Sequence, residues 1–98
     1  QYDLLLSPTL PMTAFPVGTP PSEIDGKKIG QFWSYVQFTA IINLIGFPAA
    51  SIPCGFSKTG LPIGLHIIGR PGDEASIIAA SANFEQAHPW ANKLPPVS

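Results

Sequence analysis

Hydrophobic residues fall along this chain in changing rhythms, and the changes mark its elements. Leu4, Leu5 and Leu6 form an unbroken apolar run, the pattern of a short strand covered on both faces, and Ser7-Pro8-Thr9 ends it. A strand is therefore predicted over 1–7. Over 8–30 the periodicity disappears. Pro8, Pro11, Pro16, Pro20 and Pro21 fix extended backbone that cannot enter a sheet interior, so a long proline-rich loop wrapping over its neighbours is expected. Helical spacing follows: Phe38, Ile41, Ile42 and Ile45 stand at i, i+3, i+4 and i+7 and predict a helix over 31–45. Phe32, Trp33, Tyr35 and Val36 widen its apolar surface, so burial on more than one side is expected. Gly46 is placed for a C-terminal cap, and Pro48 prevents continuation.

A period of two comes next. Ala49 to Pro53 reads as a strand of small and β-branched residues, and Leu61, Ile63, Leu65 and Ile67 alternate with Pro62, Gly64, His66 and Ile68. Ser57-Lys58-Thr59-Gly60 between them reads as a turn, giving a hairpin over 49–69. Its aliphatic face needs a covering layer. The predicted layer is a helix over 73–87, with Asp73 as N-cap, Glu74 in the first turn and a stripe of Ile77, Ile78, Ser81 and Phe84. A proline-rich tail occupies 88–98. The expected class is α/β, with about three strands and two helices.

Composition adds a constraint. Only 11% of residues are charged, against roughly 25% in ordinary soluble domains. Charge is absent from Leu4 to Ser22 and again from Ile29 to Ser57. Large uncharged surfaces mark contact with another domain or chain, so the expected partner is the remainder of a larger protein or a second copy of this one. The absence of an initiator Met before Gln1 suggests a segment cut from something longer. A membrane span is excluded, because Gln31, Ser34, Gln37, Thr39, Asn43 and Ser51 are polar and Gly46, Pro48 and Pro53 interrupt the run. A net charge of -1, with Lys27 and Lys28 the one adjacent cationic pair, argues against direct nucleic-acid binding. The single Cys54 excludes an internal disulfide and fits a reducing, cytoplasmic setting.

Candidate chemistry is sparse. Cys54 and His66 lie on facing strands, yet nothing electropositive surrounds the thiol, so Cys54 reads as structural and buried, and His66 as a packed, hydrogen-bonded residue. Two His, one Cys and scattered carboxylates show no metal-ligand spacing. Asp73 and Glu74 are adjacent on a helix and point in different directions. Gly69-Arg70-Pro71-Gly72-Asp73 lacks the glycine spacing of a phosphate loop. No catalytic residue, metal or cofactor is assigned.

Three blocks in order resemble the C-terminal segment of the amidase signature family. They are Asp3 to Thr9 (DLLLSPT), Phe38-Thr39 through Ser51-Ile52-Pro53-Cys54-Gly55, and Leu61 to Gly69 (LPIGLHIIG) with Asp73-Glu74. The resemblance runs from Asp3 to about Trp90. It implies that residues 1–98 are the C-terminal part of a single α/β/α amidase domain with a mixed sheet. It also implies a parent that hydrolyses carboxamides with a nucleophilic Ser, a bridging Ser and a Lys. The glycine- and serine-rich stretch that carries those groups is missing here, and Ser7, Ser51 and Ser57 are not substitutes. The segment is then scaffold and pocket wall, catalytically inert alone.

In the family's amidotransferase subunits, the glutamine amino group is recognised by an acidic residue three before the Thr of the helix motif. The matching position here is Val36. With Phe32, Trp33, Tyr35 and Phe38 around it, this implies a small-molecule amide that is hydrophobic or aryl. Trp33, Val36 and Phe38 are the candidate substrate-binding residues, and simple core packing is the alternative for all three. Two other readings stay open: part of an A-type glutamyl-tRNA amidotransferase component, and a non-enzymatic module offering PTLPMTAFP as a polyproline ligand.

Overall fold

The computed structural model describes residues 2–29 and 35–96. Along them run β1 (Leu5–Pro8), β2 (Glu23–Ile24), β3 (Lys27–Lys28), α1 (Gln37–Ile45), β4 (Ala49–Phe56), β5 (Pro62–Ile68) and α2 (Glu74–Ala87). The main sheet has the order β1-β5-β4, with β5 antiparallel to both neighbours. Its registers set Leu6, Ile67 and Ala50 in one row and Ser7, His66 and Ser51 in the next. Because side chains alternate across a sheet, these rows belong to opposite faces.

Helix α2 covers the face that carries Leu65 and Ile67. Ile52, Ile67 and Ile77 form the buried core, with Leu4, Ala50, Leu65, Phe84 and Trp90 packed around it. Asp73 starts the helix by accepting the Ser76 N–H at 3.3 Å and the Ser76 hydroxyl at 2.7 Å, which satisfies a donor the first turn leaves free. The buried stripe is narrower than the spacing predicts, since Ile78 is 68% exposed. Ile77 alone reaches the sheet from that turn, and it sits so close to Gly69 that a Cβ there would stand 2.9 Å from both Ile77 Cδ1 and Cγ1.

Several expectations are corrected by this arrangement. Strand β1 runs from Leu5 through Pro8 instead of over 1–7, and within this segment Leu5 and Leu6 are more than half exposed instead of covered on both faces. Thr9 N–H donates to Gly64 O at 3.1 Å, and hydrogen-bonded positions alternate along an antiparallel pair, so the Pro8 nitrogen faces away from β5 and no ladder bond is lost. The loop over 8–30 is not wholly irregular, because β2 and β3 pair antiparallel around Asp25-Gly26. Both turn residues have positive φ, 52° and 75°, as a two-residue hairpin turn requires. Helix α1 begins at Gln37, not residue 31. Residues 31–34 of the predicted helix lie outside the described residues.

Nor is α1 buried on more than one side. None of its residues is buried, and Ile41, Leu44 and Ile45 are 58%, 85% and 51% exposed. An amphipathic stripe needs a layer to lie against, and the described elements of this chain spend their packing on β4, β5 and α2. The close seat of Ile77 on Gly69 gives a direct test. Gly69→Ala is expected to destabilise the folded protein by about 1–3 kcal/mol through overpacking. In a double-mutant cycle by chemical denaturation, its combination with Ile77→Ala should cost less than the two single changes added together.

Candidate functional site

The face of the sheet turned away from α2 carries the polar groups. Strand alternation places Gly64 and His66 of β5 on it, with Ser7 and Thr9 from the β1 side and Ser51 from β4. Thr9 Oγ1 and Ser51 Oγ lie 2.7 Å apart, across the central strand. Glycine at position 64 is what lets them meet: a Cβ there would fall 2.7 Å from Ser51 Oγ and 2.8 Å from Thr9 Oγ1. A side chain at 64 would separate the two hydroxyls.

One row along, His66 is 4% exposed, and its Nδ1 lies 3.2 Å from Ser7 Oγ. The Ser7 hydroxyl donates its single proton to the Pro8 carbonyl at 3.0 Å. With the Ser7 proton given to that carbonyl, the tautomer that completes the contact is the one protonated at Nδ1, which donates to Ser7. Burial disfavours the charged ring and lowers the His66 pKa from its ordinary value. His66 is thus a neutral, hydrogen-bonded member of the sheet.

Beside the hydroxyl pair opens a groove of about 570 Å³, with Leu10 to Ala14 on one wall and Ser51–Pro53 with Pro62–Gly64 on the other. No charged residue lines it, and Thr9 and Ser51 are the polar side chains where the loop meets the sheet. That size suits a small molecule. The loop then runs to Phe15, whose ring meets Tyr35 edge-on, with centroids 5.4 Å apart and planes at 79°. This contact ties the groove wall to the residue preceding Val36.

The predicted site residues are only partly brought together. Trp33 lies outside the described residues. Val36 is the half-buried N-cap of α1, and Phe38 is half-buried in its first turn, yet neither lines the groove. Thr9, Ser51 and Gly64 were not among the residues expected at a site. Their signal was the small-or-polar alternation of β5, which extends across the sheet to both neighbours.

Cys54 corrects another expectation, because it is exposed instead of buried. The register of β4 shifts between Pro53 and Gly55, leaving Cys54 as the extra residue of a bulge, where the strand cannot hold it over the core. No Cys-His pair forms, since His66 pairs with Ser51 and Ser7. Among the described residues no cluster of three His, Cys, Asp or Glu side chains is placed to hold a metal. No helix among them is long and apolar enough to cross a membrane.

The family model for amidases matches residues 1–78. The chain belongs to the amidase family. The A-type component of the glutamyl-tRNA(Gln) amidotransferase of Thermodesulfovibrio yellowstonii is 44% identical over 95 residues, which is 97% of this chain and 19% of that protein. An acylamidase of Rhodococcus erythropolis is 38% identical over 96 residues, again 97% of this chain but 20% of its relative. Among solved structures, a bacterial aryl acylamidase of the amidase signature family superposes with a TM-score of 0.77 at 41% identity, covering 92% of this chain and 19% of the other. This amidase segment therefore spans about a fifth of the length of the relatives it matches. Its α/β architecture is that of the family's enzymes.

Burial of His66 makes stability depend on pH. With its folded-state pKa below the ordinary 6.5, the native form binds fewer protons than the unfolded chain in the window between the two values. Stability is then full above about pH 6.5, declines as pH falls through the depressed value, and levels off below it. Urea midpoints measured across this window should show that decline in the native sequence and a flatter profile for His66→Gln.

Proposed function

We propose that the protein containing this segment hydrolyses a hydrophobic or aryl carboxamide to acid and amine. The segment supplies scaffold and pocket wall, with no catalytic residue or cofactor of its own. The observation that carries this reading is Val36. It stands half-buried at the start of α1, where the resemblance puts an acidic residue in glutamine-using relatives. An isopropyl group there offers a glutamine ammonium nothing to pair with, while it suits an apolar acyl or aryl group. The uncharged groove lined by Leu10 and Met12, linked to this position through the contact of Phe15 with Tyr35, supports the same substrate class. So do the names of two relatives, an acylamidase and an aryl acylamidase.

In this reading Trp33, Val36 and Phe38 are the substrate-binding residues. The exposed apolar face of α1 is covered by the rest of the enzyme, and the exposed free thiol of Cys54 fits a cytoplasmic setting. A second reading, the A-type component of a glutamyl-tRNA(Gln) amidotransferase, draws on the 44% identity to such a protein. Turnover separates the two. The full-length protein should cleave aryl anilides with far higher kcat/KM than it releases ammonia from glutamine, and a strong preference for glutamine would end the aryl-amide reading. Val36→Asp should lower kcat/KM on the anilide by about 10-fold or more, as burying a carboxylate beside an apolar group costs at least a kcal/mol or so. Val36→Leu should change it little.

A further inference from the structure

Thr9 is where the chain leaves the sheet and enters the loop that walls the groove. Two hydrogen bonds hold it to two different strands: its N–H donates to Gly64 O of β5 at 3.1 Å, and its Oγ1 lies 2.7 Å from Ser51 Oγ of β4. Among the described residues, no hydrogen bond joins residues 10–15 to the sheet. The hydroxyl pair depends on the missing side chain at position 64. A Cβ there would come within 2.7 Å of Ser51 Oγ and 2.8 Å of Thr9 Oγ1, and both oxygens end short side chains that can turn away from it.

From Thr9 onward the loop is stiff at both ends. Leu10 precedes Pro11 and Phe15 precedes Pro16, so the residue next to the anchor and the residue at the far end are each confined to extended backbone by the proline that follows. Such a strut passes a displacement of Thr9 on to Phe15. There the Phe15 ring meets Tyr35 edge to face, an arrangement that two aromatic rings prefer. Tyr35 immediately precedes Val36, whose carbonyl accepts the N–H groups of Thr39 and Ala40 at 3.1 and 2.9 Å and the Thr39 hydroxyl at 3.1 Å. Val36 gives α1 no side-chain cap and no residue of α1 is buried, so no seat in the core fixes where this helix begins.

We infer that Thr9, Ser51 and Gly64 are positioning residues for substrate binding: the hydroxyl pair that Gly64 admits holds the loop so that Phe15, against Tyr35, keeps Val36 in place as the apolar wall. The inference rests on the reading of Val36 as a residue of the substrate pocket. It makes position 64, on the central strand, a determinant of affinity for the amide. Separating the two hydroxyls lowers the fraction of molecules whose wall is in place, and apparent affinity falls with that fraction. A group that only places a wall acts on binding and leaves the chemical step alone.

Steady-state kinetics of the full-length protein on an aryl anilide test this. Gly64→Ala, and Thr9→Val, which keeps the shape of the side chain and removes its hydroxyl, should each raise KM by about threefold or more, the scale of one neutral hydrogen bond, with kcat within about twofold of native. Thr9→Ser, which retains a hydroxyl, should bring KM back toward the native value. In a Phe15→Leu background, where the ring contact with Tyr35 is already gone, Gly64→Ala should add little. An unchanged KM for Thr9→Val would overturn the inference, and so would a fall in kcat at constant KM. It would equally be overturned by a Gly64→Ala effect that adds in full to that of Phe15→Leu, because the hydroxyls would then act by a route other than the loop. If Gly64→Ala fails to fold, Thr9→Val and Ser51→Ala carry the same test. A parent that prefers glutamine is assayed on glutamine with the same variants: a raised KM there retires the aryl-amide reading and leaves the positioning role standing, whereas an unchanged KM on the preferred substrate removes the positioning role alone.

Discussion

Strand β5 is hydrogen-bonded along both edges, so the alternation of its side chains has to serve two neighbours at once. Leu65 and Ile67 point to α2 and set the register that brings Ile52 and Ile77 into one core. Gly64 and His66 point the other way and decide which side chains of β1 and β4 face each other across them. A slip of one residue would exchange the two sets, placing a histidine under the helix and isoleucine beside the hydroxyls, which is why register is strongly specified when one face is buried. The core and the polar face are two consequences of a single alignment.

Small residues in β5 and just after its end make close approaches possible on both faces. Gly69 admits Ile77 and so seats α2, while Gly64 admits the contact between Thr9 and Ser51. The loop leaving Thr9 walls the groove and reaches Tyr35 through Phe15. In this way a strand buried near the middle of the segment governs the shape of a surface formed by residues far away in sequence. The hydroxyl pair contributes little net energy, since a neutral hydrogen bond exchanges for one with water at a gain of about 1 kcal/mol. Its structural effect is to hold the loop against the sheet.

Elements with strong local signals were legible in the sequence. The hairpin turn, the Asp73 cap of α2 and the apolar run of β1 all follow from residues within a few positions of one another. Legibility failed where the deciding partner was distant or the signal was masked. The Asp25-Gly26 turn carries the strongest short-range hairpin dipeptide, but the prolines around it drew the segment into a loop reading. Burial of α1 was expected from its own stripe, although burial depends on a layer that these residues do not provide. Cys54 was expected inside because of its residue type, and the bulge that turns it out is visible only once β4 is aligned with β5. Of the candidate groove, the meeting of Thr9 with Ser51 was not readable, because it required three strands to be in place.

Pairing of Leu5 with Ile68 also orders events in time. The hairpin of β4 and β5 closes through a short turn, a microsecond process, whereas β1 must wait until the chain has been made as far as Ile68 before its partner is complete. On a ribosome adding roughly 5–20 residues per second, the three apolar leucines emerge ahead of β5 and remain without that strand neighbour for several seconds. The proline-rich stretch that follows them holds extended, uncommitted backbone during that interval, and so keeps the early strand from finding a wrong partner close at hand.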